Sequence, residues 1–131
     1  MIAIDTNILV RHITQDDAEQ SKKASDLIKK YAGVESSILI NNVVLCEVVW
    51  VLESVYKFSK HQIIEVLKAI LTSFEFCFED YKILWQSVLE MEKSSADFSD
   101  ILIGQINKSK NSISTYTFDK SASSLGYFTK I

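Results

Sequence analysis

The chain has no proline and only three glycines among its 131 residues. With so little punctuation, no stretch reads as an interdomain linker, and no segment repeats at a fixed period. One domain over residues 1–131 is therefore expected, long enough to bury roughly two-thirds of its unfolded surface. Cysteine is equally scarce. Cys46 and Cys77 sit among apolar neighbours and in no metal-binding spacing, which argues against a disulfide scaffold and for reduced thiols. His12 and His61 lie 49 residues apart, far from the spacing of a histidine-based zinc site, so any metal has to be held by oxygen. Long hydrophobic runs are missing too. Stretches such as Val48–Leu52 fall well short of the roughly 20 residues that span a bilayer, and no signal-peptide pattern opens the chain, so a cytoplasmic location with no membrane partner is expected. Finally, there is no basic surplus: the net charge of −3 argues, at first sight, against a nucleic-acid partner.

Apolar residues make up 47% of the chain and charged residues 24%, the balance of a well-folded globular protein. "IAID" reads as a short buried strand, and "TNILVRHI" follows with helical apolar spacing. "QDDAEQSKKASDLIKKYAG" is a polar helix with Gly33 as its stop, and its lysines form a solvated face. After a second strand in "SSILINN", Asn41 or Asn42 caps the apolar helix "VVLCEVVWVLESVY". A Ser59/Gln62 capping box then opens "SKHQIIEVLKAILTS", and these two helices look like an αα-hairpin. "FEFCF" alternates as a strand. "DYKILWQSVLEMEKS" and "DFSDILIGQINKSK" are helices, "SISTYTFD" a strand, "KSASSLG" a short helix and "YFTKI" a closing strand. Strands alternating with helices predict an α/β fold with a mainly parallel sheet.

Open parallel sheets bind ligands beyond the carboxyl ends of their strands, and Asp5 and Asp119 each end a predicted strand. Glu47 is the only charged residue between Val43 and Leu52. A lone ionised carboxylate on that apolar helix costs several kcal/mol, so Glu47 is expected to be paired, protonated or bound to a metal. Asp97 and Asp100, three residues apart, share one side of a helix start. Converging carboxylates repel one another unless a cation joins them, and Mg²⁺ or Mn²⁺ is the hard divalent ion that suits such oxygens. Setting aside Asp5, Glu47, Asp97, Asp100 and Asp119 turns the net charge from −3 to +2 for the rest of the chain, so the acidic balance does not exclude a phosphate backbone.

"IDTNILV", the Glu47 that follows "SSILINNVVLCEV", "DFSDILI" and "STYTFD" resemble, in order and spacing, the four acidic motifs of the PIN domain in small bacterial VapC-like toxins. The resemblance covers the whole chain. It implies a three-layer α/β/α sandwich with a mainly parallel central sheet and an Mg²⁺- or Mn²⁺-dependent endoribonuclease. It also implies an antitoxin partner of the VapB kind that occludes the site. The motif acids fall on Asp5, Glu47, Asp100 and Asp119, with Asp97 an extra acid found in members carrying a "DFxD" pattern. Thr6, Asn7 and Thr117 match polar positions that support the carboxylates.

Simpler roles compete for the same residues. Asp5, Asp97 and Asp119 all suit helix N-caps, and Arg11 could reach RNA or a partner or be an ordinary surface arginine. A phosphotransferase of the haloacid dehalogenase kind also begins with an Asp at a strand end, but it needs a second Asp where this chain has Asn7. A non-catalytic PIN-fold module that binds RNA or protein is disfavoured by the presence of all four acids. Trp50, Trp85, Phe74, Phe76 and Phe78 read as core or dimer interface, and a homodimer is expected from the apolar helices.

Overall fold

Ile38 and Ile40 are completely buried, and the backbone between them forms the middle of a sheet. In the computed structural model, which describes residues 1–131, the chain folds as two compact units, Met1–Glu79 and Asp80–Ile131. The first contains three parallel strands, β1 (Ile2–Ala3), β2 (Ile38–Leu39) and β3 (Phe76–Cys77), with β2 in the centre. Ile2 is in register with Ile38 and Ile38 with Phe76. Bonds from the Ile4 N–H to Leu39 O (3.3 Å) and from the Ile40 N–H to Cys77 O (2.9 Å) extend the ladder by a residue beyond the formal strands.

Parallel pairing needs long crossovers. Helices α1 (Thr6–Thr14) and α2 (Ala18–Lys29) supply the first, and α3 (Asn42–Ser54) and α4 (Lys60–Leu71) the second. Each starts on a residue whose short polar side chain accepts a bond from a backbone N–H in the first turn: Asp5, Asp17, Asn41 and Ser59. Ser59 and Gln62 form the full reciprocal capping box. Such a cap typically contributes about 1 kcal/mol. Gly33, at φ +79°, makes the left-handed turn that ends the α2 region, and its N–H donates to Glu75 Oε1 at 3.1 Å. The core of this unit joins Leu9 of α1, Leu45, Val48 and Leu52 of α3, and Ile63 and Leu67 of α4. Helix α2 buries only Ser21 and Ala24 and carries the i,i+4 pairs Lys22–Asp26 and Lys23–Glu19 outside, as its polar composition predicts.

Arg11 is committed within this unit. Its guanidinium donates to Gln20 Oε1 (2.8 Å), Asp16 Oδ1 (3.0 Å) and the Tyr56 hydroxyl (3.3 Å).

The second unit packs α5 (Tyr81–Lys93) against α6 (Phe98–Ser109) through Leu84, Val88, Phe98, Ile101 and Leu102. Strands β4 (Thr115–Thr117) and β5 (Phe128–Lys130) pair in parallel across the one-turn helix α7 (Lys120–Ser123), with Tyr116 in register with Thr129 and Thr117 with Lys130. A Cβ at Gly104 of α6 would collide with the rings of Tyr127 and Phe128, so glycine is what lets β5 lie this close to the helix. Of the aromatics expected in the core or at a dimer interface, Trp50 and Phe74 are largely exposed and Trp85, Phe76 and Phe78 only partly covered. The fully buried ring is Phe98.

Candidate active site

In the first unit, Asp5 stands just beyond β1 and caps α1. Its backbone is extended (φ −92°, ψ 179°) and its Oδ1 accepts the Ile8 N–H at 3.2 Å. Capping and a further role are compatible, because one oxygen of the carboxylate is enough for the cap. The next residue, Thr6, donates its hydroxyl to Glu47 Oε2 at 2.9 Å, across 41 residues of sequence. The first and second acidic motifs are thereby tied together by one side-chain bond. Asn7 is exposed.

Glu47 is not where its apolar neighbours imply. Helix α3 buries Val44, Leu45, Val48 and Val49 on one side and turns Val43, Glu47 and Trp50 to solvent on the other. The expectation of an ionised carboxylate made costly by its apolar helix is corrected accordingly: the helix is apolar on its exposed face as well as on its packed one, so composition alone misplaces the acid. What singles Glu47 out is its bond to Thr6. The α3 N-terminus also receives Glu79 Oε1, which accepts the Asn42 N–H at 3.3 Å. No local sequence pattern connects Glu79 to a helix that starts 37 residues earlier.

In the second unit, Asp119 follows β4 and caps α7, its Oδ1 accepting the Ala122 N–H at 2.7 Å while its own N–H donates to Thr117 Oγ1 at 3.0 Å. Thr117 therefore fixes the backbone from which Asp119 projects. Asp97 occupies the N-cap position of α6, yet its side chain makes no capping bond, which leaves that carboxylate available. Asp100, in the first turn of α6, is half-buried. Burial pushes its carboxyl above the usual aspartate range, and the charges of Asp119 and Asp97 push it further the same way. Three of the acids picked out by sequence are thus electrostatic neighbours within this unit.

No group of three or more His, Cys, Asp or Glu side chains is close enough to enclose a metal ion. The fit to a metal rests instead on donor chemistry: carboxylate oxygens only, with the Asp100 carboxyl raised by burial and then by the charges of Asp119 and Asp97, which a hard divalent cation would offset.

The PIN domain model matches this sequence over residues 2–126. The chain belongs to the PIN domain family. The matched span contains every acid described above, and the parallel strands with their flanking helices are the α/β sandwich architecture of a PIN domain. Among solved structures, the chain is similar to the Mycobacterium tuberculosis toxin VapC20, described as cleaving the sarcin-ricin loop. The identity is 15%, the coverage 97% of this chain and 96% of that one, and the TM-score 0.45. No curated protein matches the sequence. No helix of this PIN protein is long and apolar enough to cross a membrane.

Proposed function

We propose that this PIN domain is a divalent-metal-dependent endoribonuclease, the toxin of a VapBC-type toxin–antitoxin pair, which hydrolyses phosphodiester bonds in RNA. The observation that carries this reading is the acid chemistry at the carboxyl end of β4, where Asp97, Asp100 and Asp119 are held as neighbours at an electrostatic cost within a chain that matches the PIN model. Natural folds seldom keep like charges together without a ligand to compensate them.

Asp5, Glu47, Asp97, Asp100 and Asp119 are the residues that would hold Mg²⁺ or Mn²⁺. When bound, such an ion polarises the scissile phosphate and stabilises charge on the leaving oxygen. The chain's own residues do the positioning. Thr6 fixes one oxygen of Glu47 and leaves Oε1 to accept a proton from the attacking water. The caps of α1 and α7 hold Asp5 and Asp119 by one oxygen each, so the second oxygen of each has a set direction. Attack by water requires no 2′-oxygen, so the products are a 5′-phosphate and a 3′-hydroxyl. An antitoxin that occludes the acids, a homodimeric state, a cytoplasmic location and a single nuclease domain over residues 1–131 complete the reading.

The test is cleavage of a mixed cellular RNA pool by the purified chain with Mg²⁺ or Mn²⁺, beside an EDTA control and the Asp5→Ala and Glu47→Ala variants. The expected result is metal-dependent cutting that both variants lose. RNA left intact by the wild type in both metals would instead indicate a PIN-fold module that binds without cutting.

A further inference from the structure

Strand β4 alternates hydroxyl and aromatic residues, and it runs directly into one of the candidate acids. Thr115 and Thr117 are half-buried, whereas Tyr116 is 67% exposed and Phe118, immediately before Asp119, is 80% exposed. Both rings stand in solvent two positions apart in sequence, Tyr116 on β4 and Phe118 in the bend that leads from β4 to Asp119. Other aromatics of this unit have ring partners: Tyr81 meets Trp85 edge-on, and Tyr127 lies against Phe128 with Lys108 over its face. Tyr116 and Phe118 have none.

Single exposed apolar residues are ordinary on protein surfaces. Two unpartnered aromatic faces beside a carboxylate cluster are a more specific arrangement. An exposed lysine that is not ion-paired, Lys120, directly follows Asp119 in the same unit. Flat π-faces beside an unpaired cation are what a single-stranded nucleic acid uses: bases stack on the rings while a phosphate meets the ammonium group. A base-paired duplex would keep its bases stacked on one another and leave the rings unused.

We propose that Tyr116 and Phe118 form a base-stacking platform that seats unpaired RNA next to Asp119. This inference rests on the ribonuclease reading for its place in a reaction, but the platform itself is tested by binding. Both side chains are exposed, so replacing them leaves folding intact, which melting curves of the variants would verify.

The experiment measures fluorescence anisotropy with labelled oligouridine of about twelve nucleotides, within the usual range of single-strand site sizes, and with the duplex it forms with oligoadenosine. Wild type is expected to prefer the single strand. Tyr116→Leu and Phe118→Leu, which keep an apolar side chain but remove the π-face, are each expected to weaken single-strand binding about tenfold and to spare the duplex. Tyr116→Phe and Phe118→Trp are expected to retain it, a rescue that a merely structural role would not produce. Leucine variants that bind the single strand as wild type does, a wild type without single-strand preference, or an effect confined to oligomeric state in light scattering would each overturn the proposal. The RNA-pool assay separates the two readings. Cutting by a wild type whose leucine variants bind normally removes the platform alone. Intact RNA together with the expected binding pattern removes the nuclease and leaves an RNA-binding surface.

Discussion

Asp16 and Asp100 carry the same functional group into opposite surroundings. Asp16 receives the Tyr56 hydroxyl at 2.5 Å, the Thr14 hydroxyl at 2.9 Å and the Arg11 guanidinium at 3.0 Å. The bonds from Tyr56 and then Thr14 do most to bring its carboxyl down to about 2. Asp100 has burial and two further acids around it, and its carboxyl moves up. The first is compensated within its own chain by donors and so does a structural job. The second has no such donors, which is the setting the proposed cation would compensate. An acid's environment, more than its presence in a motif, separates scaffold from site.

The sharpest way to break this comparison is to neutralise Asp100. Asp100→Asn removes a proposed ligand, and metal-dependent RNA cleavage is expected to fall by at least about 100-fold, toward the range seen when metal coordination is disturbed. The same change removes a charge that the fold disfavours. The metal-free variant should therefore melt no lower than wild type, and roughly 2 °C higher if the repulsion is fully relieved. Retained cleavage, or a large drop in melting temperature, would show that Asp100 is scaffold like Asp16.

A smaller effect is expected from adding the cation to wild type. A ligand that binds only the folded state stabilises it by mass action, so Mg²⁺ at about ten times its Kd should raise the melting temperature by roughly 4 °C. Asp100→Asn should lose most of that increment. Equal shifts in both proteins would place the cation elsewhere on the surface.

How much of this was legible beforehand follows from the range of each interaction. The Ser59/Gln62 box and the Asn41 cap are complete within four residues of sequence, and both are present in the fold. The order of strands and helices was equally readable, since periodicity is local, although the expected strand in "FEFCF" shortens to Phe76–Cys77 because hydrogen bonding to β2 sets its length. Long-range partners were not readable. Tyr56 reaches Asp16 across 40 residues and Glu79 reaches the start of α3 across 37. Glu47 shows the intermediate case. Its isolation among valines drew attention to it, yet the reason was wrong, because a helix this apolar presents hydrophobic residues on its solvent face too. The platform residues left a readable trace, an aromatic at every second position of "TYTF", but strand alternation names two faces without saying which one the fold covers.

The smallest predicted effect tests the compensated side of the comparison. Asp16 has a folded-state pKa of about 2 against about 3.9 in an unfolded chain, so the unfolded state binds the proton more tightly. Its contribution is therefore fully present above about pH 4 and is lost as the pH falls through about 2. Tyr56→Phe removes the strongest donor, and the carboxyl of the variant should titrate closer to the ordinary value. At neutral pH the variant should melt roughly 2 °C below wild type, a modest change because the pair is exposed to solvent. That gap should narrow steadily between about pH 4 and pH 2 as the carboxylate protonates in both proteins. RNA cleavage at neutral pH should be unchanged, since Tyr56 and Asp16 lie outside the proposed site. A gap that persists undiminished in acid would mean that Tyr56 stabilises the fold through its ring, which meets Phe58 edge-on at 6.5 Å, and not through the charge of Asp16.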